Sequence, residues 1–476
     1  MLHYFTNSTL ATPQQLINII SYEDEVLSMK VMKLTALYSV LLLASVSWAQ
    51  ANTNESAGVY KKACTPELIQ AAKSNADICY GVNTASDIQI TKKNDDKYKI
   101  KVVIIGESTN KNYMNTYGYP LENTPFLSSV NGRFFNNFIS AASNTVPTLT
   151  RALAKNDLKT ITQHHEKPYY NNNSVVDLAN KAGYETYYIG NNGSFGDDEI
   201  GFTNYFLKAN YFLPVRDSKP GFENLFVQEK FVVDDSVNKL TNDFKMLPAF
   251  KAALNNPSEK EKVIFVHMWG PHHDGWPKGA CELVKNNYNI NPEQFDTGWG
   301  SIANCYVSAI KLSDDFIGDI YSILQENNKN GDYPFSILYF SDHGQGLVKA
   351  NKQHVKALEA EYKGYIKDGN LYLRHGQLVK GAYQVPLVVI NSDDTKREFR
   401  DEMLSEWNLF DYFASWLGVE TNLTSPAKSI VAETITPEKD IDVFVFPRDE
   451  FVKYDSLPQD TVLSPATVNT KVVADN

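Results

Sequence analysis

Positive charge is what this chain most conspicuously lacks: 45 Lys and Arg face 56 Asp and Glu, a formal net charge of -11. That balance excludes a protein built to grip nucleic acid, because phosphate binding draws on a cationic surface. Cysteine is scarce, four residues in all, and none of the spacings is that of a zinc finger. Long apolar runs are rarer still. The one present, Leu34 to Trp48, is shorter than the roughly 20 residues a spanning helix needs. No internal repeat recurs along the chain, which excludes a repeat array.

What is present describes a folded, exported protein. Aromatic residues make up 12 %, with 27 Tyr and 25 Phe, far from the composition of a disordered chain. A chain of 476 residues holds one large α/β domain or two smaller ones. Lys30 and Lys33 precede the apolar run, and Ala49-Gln50-Ala51 ends it, so residues 29–51 read as a secretory signal peptide. An uncleaved membrane anchor is the alternative. Residues 1–28 fit no part of such a signal and read as an upstream extension, with translation starting at Met29 or Met32. Export to a periplasmic or secreted location puts the cysteines in an oxidising compartment. Cys64 with Cys79, and Cys281 with Cys305, are then expected to close two local disulfides, worth about 3 kcal/mol each.

Residues 52–97 are polar and read as a short helical lead-in, residues 98–445 as the main domain, and residues 446–476 as a tail of an edge strand and a loose end. Strands are expected at Lys101–Ile105, Tyr184–Ile189, Val263–Met268, Phe335–Phe340 and Val385–Ile390. Helices are expected at Ser174–Ala182, Ala303–Leu324 and Glu402–Leu417, the last stopped by Gly418. Strands alternating with helices predict a mostly parallel sheet sandwiched between helices.

Chemistry-bearing residues cluster at the strand ends. Phe335–Phe340 runs into Ser341-Asp342-His343-Gly344, a carboxylate beside an imidazole and a natural divalent-metal pair. The first strand ends in Gly106-Glu107-Ser108, and the third leads through His267 to Gly270-Pro271-His272. Arg374-His375-Gly376 precedes the last strand. Singly, each has a bland role as a helix cap, a turn or a solvated residue. Their recurrence after successive strands points to one site, since parallel strand ends converge. Thr145, in Asn144-Thr145-Val146-Pro147-Thr148-Leu149, is either a helix N-cap or a nucleophile at a helix start; the residues alone favour the cap.

The ordered set Val103-Ile104-Ile105-Gly106-Glu107-Ser108, Tyr117-Gly118-Tyr119-Pro120, Asn123-Thr124-Pro125-Phe126-Leu127, Asn144 to Leu149, Gly270-Pro271-His272 and Ser341 to Gly344 resembles the sulfatase-like catalytic domain of bacterial phosphoethanolamine transferases, in the alkaline phosphatase superfamily. The likeness covers about Tyr98 to Val419. It implies an alkaline phosphatase-like α/β fold in a single large domain and a zinc ion held by Glu107, Thr145, Asp342 and His343. Thr145 would be the nucleophile of a two-step transfer from a phospholipid donor, expected to be phosphatidylethanolamine, to an envelope glycan or lipid. His272 and His375 would flank the phosphoryl group or hold a second metal; His267 is a weaker candidate, and His354 an alternative to His375. The family's usual N-terminal membrane helices are replaced by one signal-like segment, and the usual Glu after Asp-His-Gly is Gln345. A phosphodiesterase or phosphatase of the same fold would use water as acceptor. A type I sulfatase needs a formylglycine precursor where Thr145 stands. A non-catalytic binding module would not need this metal set.

Overall fold

Runs of β-branched and aromatic residues become strands, and the ends of those strands position the site. A computed structural model describes residues 85–155, 172–192, 200–214, 243–272, 297–349, 352, 371–375 and 378–463. In chain order the strands are β1 (Ile90–Lys93), β2 (Ile100–Gly106), β3 (Gly132–Ile139), β4 (Glu185–Gly190), β5 (Tyr211–Pro214), β6 (Lys262–His267), β7 (Phe335–Ser341), β8 (Gly346–Lys349), β9 (Leu371–Arg374), β10 (Gln384–Asn391), β11 (Arg397–Ser405), β12 (Val419–Thr421), β13 (Asp442–Val445) and β14 (Glu450–Lys453). Eight of them form the main sheet in the order β11-β3-β10-β7-β2-β6-β4-β5. All run the same way except β10, which is antiparallel to both β3 and β7.

The central strand β2 is buried along its whole length. Val103 and Ile105 face a core shared with the helices Val175–Lys181 and Leu409–Trp416, while Val102 and Ile104 face one shared with Met246–Asn255 and Thr297–Asn327. A strand covered on both faces loses its polar alternation, which is why Lys101–Ile105 reads as a continuous apolar run. Each such side chain contributes about 1.5–3 kcal/mol by leaving water. The strand ends are level: Ile105 lies opposite both His267 and Phe340, and Gly106 opposite Ser341. The segments that leave these three strands therefore meet at one edge of the sheet.

Three expectations change. Glu402–Leu417 is not one helix: β11 occupies Arg397–Ser405, and the helix begins at Leu409. Glu398, Arg400 and Glu402 repeat every second residue and pair along one face, Arg400 Nη1 at 3.0 Å from Glu398 and Nη2 at 2.6 Å from Glu402. Charges there shield an outermost strand from pairing with another chain. Secondly, β3 is a strand that the sequence pattern does not announce, its alternation being interrupted by Asn136-Asn137. Thirdly, the tail is tied down as far as Leu463, the last residue described. After the β13–β14 hairpin, Asp460 accepts hydrogen bonds from Leu347 N (3.0 Å) and Gly381 N (2.9 Å), and Tyr119 Oη donates to Leu463 O at 2.8 Å.

Of the lead-in only 85–97 is described, where β1 pairs with β12 rather than coiling. The signal-like segment, the upstream extension, Cys64, Cys79, Cys281 and His354 lie outside the described residues. Cys305 lies within them, and no described cysteine is a free thiol. No helix among the described residues is long and apolar enough to cross a membrane.

Candidate active site

Four strand ends deliver the site. Glu107 follows β2, Asn191 and Asn192 follow β4, the Trp269–His272 turn follows β6, and Asp342-His343 follows β7. β10 runs the other way, so its beginning lies at this same edge, and His375 arrives just after β9. Thr145 comes from the connection after β3 and opens the helix Thr145–Ala152.

Glu107, Asp342 and His343 bring one ligand atom each within 4.8 Å of one another, all buried. Thr145 Oγ1 donates to Glu107 Oε2 at 2.9 Å and lies 3.2 Å from His343 Nε2. His343 Nε2 is 3.2 Å from Glu107 Oε1 and 3.4 Å from Asp342 Oδ2. The N-cap reading of Thr145 therefore fails. Asn144 is the cap residue, and the Thr145 hydroxyl is aimed at a carboxylate instead of a backbone N–H.

These groups are fixed by their neighbours. His343 Nδ1 lies 3.0 Å from Gly344 O, the contact of an N–H donor with a carbonyl, which turns Nε2 toward the cluster. Ser108 sits at φ +56°, a costly left-handed conformation for serine. From there its N–H donates to Asp342 Oδ1 at 2.9 Å and its hydroxyl to Glu107 Oε1 at 2.6 Å, so one residue ties both carboxylates. Tyr306 Oη in turn donates to Ser108 O at 2.7 Å. Asn192 Nδ2 donates to Glu107 Oε2 at 2.6 Å and to Met268 O at 3.1 Å.

The electrostatics call for a cation. Burial, then the Glu107 charge, push Asp342 up to about 8. Burial alone would raise Glu107 as well, but the charge and hydrogen bond of His343, the His272 charge and the Ser108 hydrogen bond together hold that carboxyl well below its usual range. Asp342 Oδ2 is buried without a hydrogen-bond partner. Two carboxylates, an imidazole nitrogen and a hydroxyl form a donor set suited to zinc. Adjacent ligands of a tetrahedral zinc stand about 3.4 Å apart. His343 Nε2 lies 3.2 to 3.4 Å from oxygens of Thr145, Glu107 and Asp342, and one ligand atom each of Glu107, Asp342 and His343 falls within 4.8 Å of the others. The residues fit the ion.

Two further histidines line the rim. The His375 ring lies 5.5 Å from that of His343 and 5.6 Å from that of His272, whose own ring packs 4.4 Å from Trp269. His267 is not part of this group. It is wholly buried among Tyr188, Phe202 and Phe206, and burial lowers it to about 4, so it is a neutral core histidine. Gln345 is buried, its Nε2 donating to Pro271 O at 3.4 Å. Ser108, Asn192 and Tyr306 escape a reading of the sequence. Asn191-Asn192 do carry a signal, because they end a buried strand as Glu107 and Asp342 do.

The sulfatase family model matches residues 99–419. A putative phosphoethanolamine transferase of Haemophilus influenzae is 33 % identical over 249 residues, covering 52 % of this chain and 46 % of that protein. Phosphoethanolamine transferase OpgE of Escherichia coli is 28 % identical over 335 residues, covering 69 % of this chain and 53 % of that one. The chain thus spans about half the length of these curated relatives. The crystal structure of the C-terminal periplasmic domain of EptC from Escherichia coli, in complex with Zn, superposes with a TM-score of 0.56 at 20 % identity. It covers 79 % of this chain and 97 % of that domain, a likeness of fold.

Proposed function

The chain belongs to the sulfatase family, and from that premise we propose that it is a periplasmic, zinc-dependent phosphoethanolamine transferase working through a phosphorylated Thr145. The observation that carries the reading is the Thr145 hydroxyl, half-buried and so accessible, 2.9 Å from Glu107 Oε2 in a cluster of buried metal-ligating groups. Zinc held by Glu107, Thr145, Asp342 and His343 would supply a lowered hydroxyl pKa and positive charge beside the reacting phosphoryl oxygens.

The chain's own residues do the rest. Thr145 Oγ1 forms a bond to the phosphorus of phosphatidylethanolamine as the bond from phosphorus to the diacylglycerol oxygen breaks. The hydroxyl proton leaves along its hydrogen bond to Glu107 Oε2. His272 and His375 stand on the rim, where imidazolium donors would stabilise the equatorial oxygens and protonate the departing alkoxide. An acceptor hydroxyl on an envelope glycan or lipid then takes the phosphoethanolamine group and Thr145 recovers its proton. Sulfatase chemistry proper is not supported. Thr145 stands where a formylglycine precursor would have to be, and threonine cannot become formylglycine.

Cys281–Cys305 and Cys64–Cys79 are proposed as disulfides of the exported protein. Mass spectrometry of the zinc-loaded protein incubated with phosphatidylethanolamine tests the mechanism. A phosphoethanolamine adduct on Thr145 with released diacylglycerol supports it; turnover retained by Thr145→Ala would refute the covalent step.

A further inference from the structure

One buried carboxylate near the site is used by no step of the transfer. Asp243 lies in a 3₁₀ turn, Asp243–Lys245, that leads into the helix Met246–Asn255, and it is 6 % exposed. Its Oδ1 accepts from Trp269 N at 2.7 Å and its Oδ2 from Gly270 N at 2.9 Å. Asn191 Nδ2 donates to Oδ1 at 2.8 Å. A buried carboxylate is costly unless its oxygens are engaged. Here both are engaged by consecutive peptide N–H groups, which fixes those two peptide planes.

The same turn is held from its other side. Gly270 adopts φ +50°, and a Cβ there would stand 3.0 Å from Glu107 O and 3.3 Å from Glu107 N. Asn192 spans Met268 O and Glu107 Oε2. The turn is thus clamped between Asp243 and the backbone of a metal-site residue, and two residues beyond Gly270 it presents His272 to His375. Without Asp243 the Glu107 side of the clamp remains, but the N–H groups of Trp269 and Gly270 lose their partner.

We propose that Asp243 is a positioning residue for phosphoryl transfer, holding the Trp269–Gly270 peptides so that His272 stands fixed over the site. The proposal rests on the transfer reading in so far as His272 contributes to turnover. Asp243 touches no reacting atom, so its loss is felt through His272.

The test uses the zinc-loaded full chain with phosphatidylethanolamine in detergent micelles, and the variants Asp243→Ala, Asp243→Asn, Asn191→Ala and His272→Ala. Turnover, zinc content and the pH dependence of Trp269 fluorescence are read together. The fluorescence is taken as the difference between each protein and its Trp269→Phe counterpart. A protonated imidazole quenches an indole in contact with it, and the His272 ring is 4.4 Å from that of Trp269, tilted by 47°. Asp243→Ala is expected to lower kcat about 10–100-fold with KM within about threefold, as the loss of an outer-shell contact does. Zinc content should stay at the parent value, and the His272-dependent quench should shrink or shift its midpoint. Asp243→Asn keeps one acceptor and should recover part of kcat.

Parent-like kcat and quench in Asp243→Ala would overturn the proposal, as would a loss of zinc in step with kcat, which would make Asp243 a metal-site residue. Should Asp243→Ala fail to fold, Asn191→Ala, which removes only the supporting amide, is expected to lower kcat about three- to tenfold with the same change in quench; parent-like behaviour there overturns it equally. If His272→Ala is fully active, the role of His272 in transfer falls, while the quench still decides whether Asp243 places the turn.

Discussion

The site has two halves made differently. The half with the candidate metal ligands is built on Glu107, Asp342 and His343, which directly follow central strands and are wholly buried. Their carboxylates are tied through Ser108, with half-buried Thr145 added from a helix start. The histidine half sits on connections, half-buried, and its residues meet by ring packing. The first half is tied by hydrogen bonds within itself, whereas His272 of the second follows a glycine turn held by Asp243. Electrostatic stabilisation works best when donors need no rearrangement, which suits the half that holds the Thr145 hydroxyl. The rim, half-buried and carried on connections, is instead the half open to solvent.

Breaking the buried half should have the greater effect. Thr145→Ala is expected to reduce transfer at least about 10³-fold, as loss of a nucleophile does, with a thermal midpoint close to the parent's, because the hydroxyl makes no backbone cap. A product assay and a melting curve check both parts. His272→Ala and His375→Ala should each lose about 10²-fold in kcat with zinc content unchanged. Loss of zinc in either would show that the rim holds an ion of its own and dissolve the contrast.

Removing the metal sharpens the same contrast in another currency. Chelation should lower the melting temperature by several degrees, since an ion bound only by the folded form stabilises by about 3–4 kcal/mol at 100 to 1,000 times its dissociation constant. Asp342→Asn should remove most of that difference. An unchanged melt on chelation would mean that the buried half is complete without a cation.

A control far from both halves is the smallest expected effect. Asp314, on the long helix, accepts from Phe126 N at 2.8 Å and Leu127 N at 2.9 Å at the start of the helix Pro125–Ser129. Burial raises its carboxyl to about 7. A raised folded value favours the protonated form, so its contribution is full below about pH 4 and is lost as pH rises through about 7. Asp314→Asn should flatten this part of a melting-temperature profile between pH 5 and 8 without altering kcat.

Much of this is legible in the sequence where the physics is local. A strand buried on both faces writes itself as an apolar run, and a polar residue directly after it must lie at the sheet edge, so Glu107, Asp342 and His343 can be read. Their family order then locates Thr145, which the residues alone would leave as a cap. β11 reads as a helix because its apolar residues Met403 and Leu404 lead into the true helix at Leu409, masking the two-residue charge period before them. Asp243 and Asp460 are illegible for a different reason. Each acts by accepting peptide N–H groups distant in sequence, and no neighbour of either residue announces that.

Asp460 also orders events in time. It fastens Leu347, 113 residues earlier, and Gly381, 79 residues earlier, with both carboxylate oxygens. Leu347 N lies just past the Asp342-His343 pair, and Asn110 Nδ2 holds the intervening Gln345 O at 2.9 Å. Synthesis runs from the N-terminus, and every residue of the candidate site precedes Asp460 in the chain. The loop behind His343 is therefore fastened last, once the chain has been made as far as Asp460.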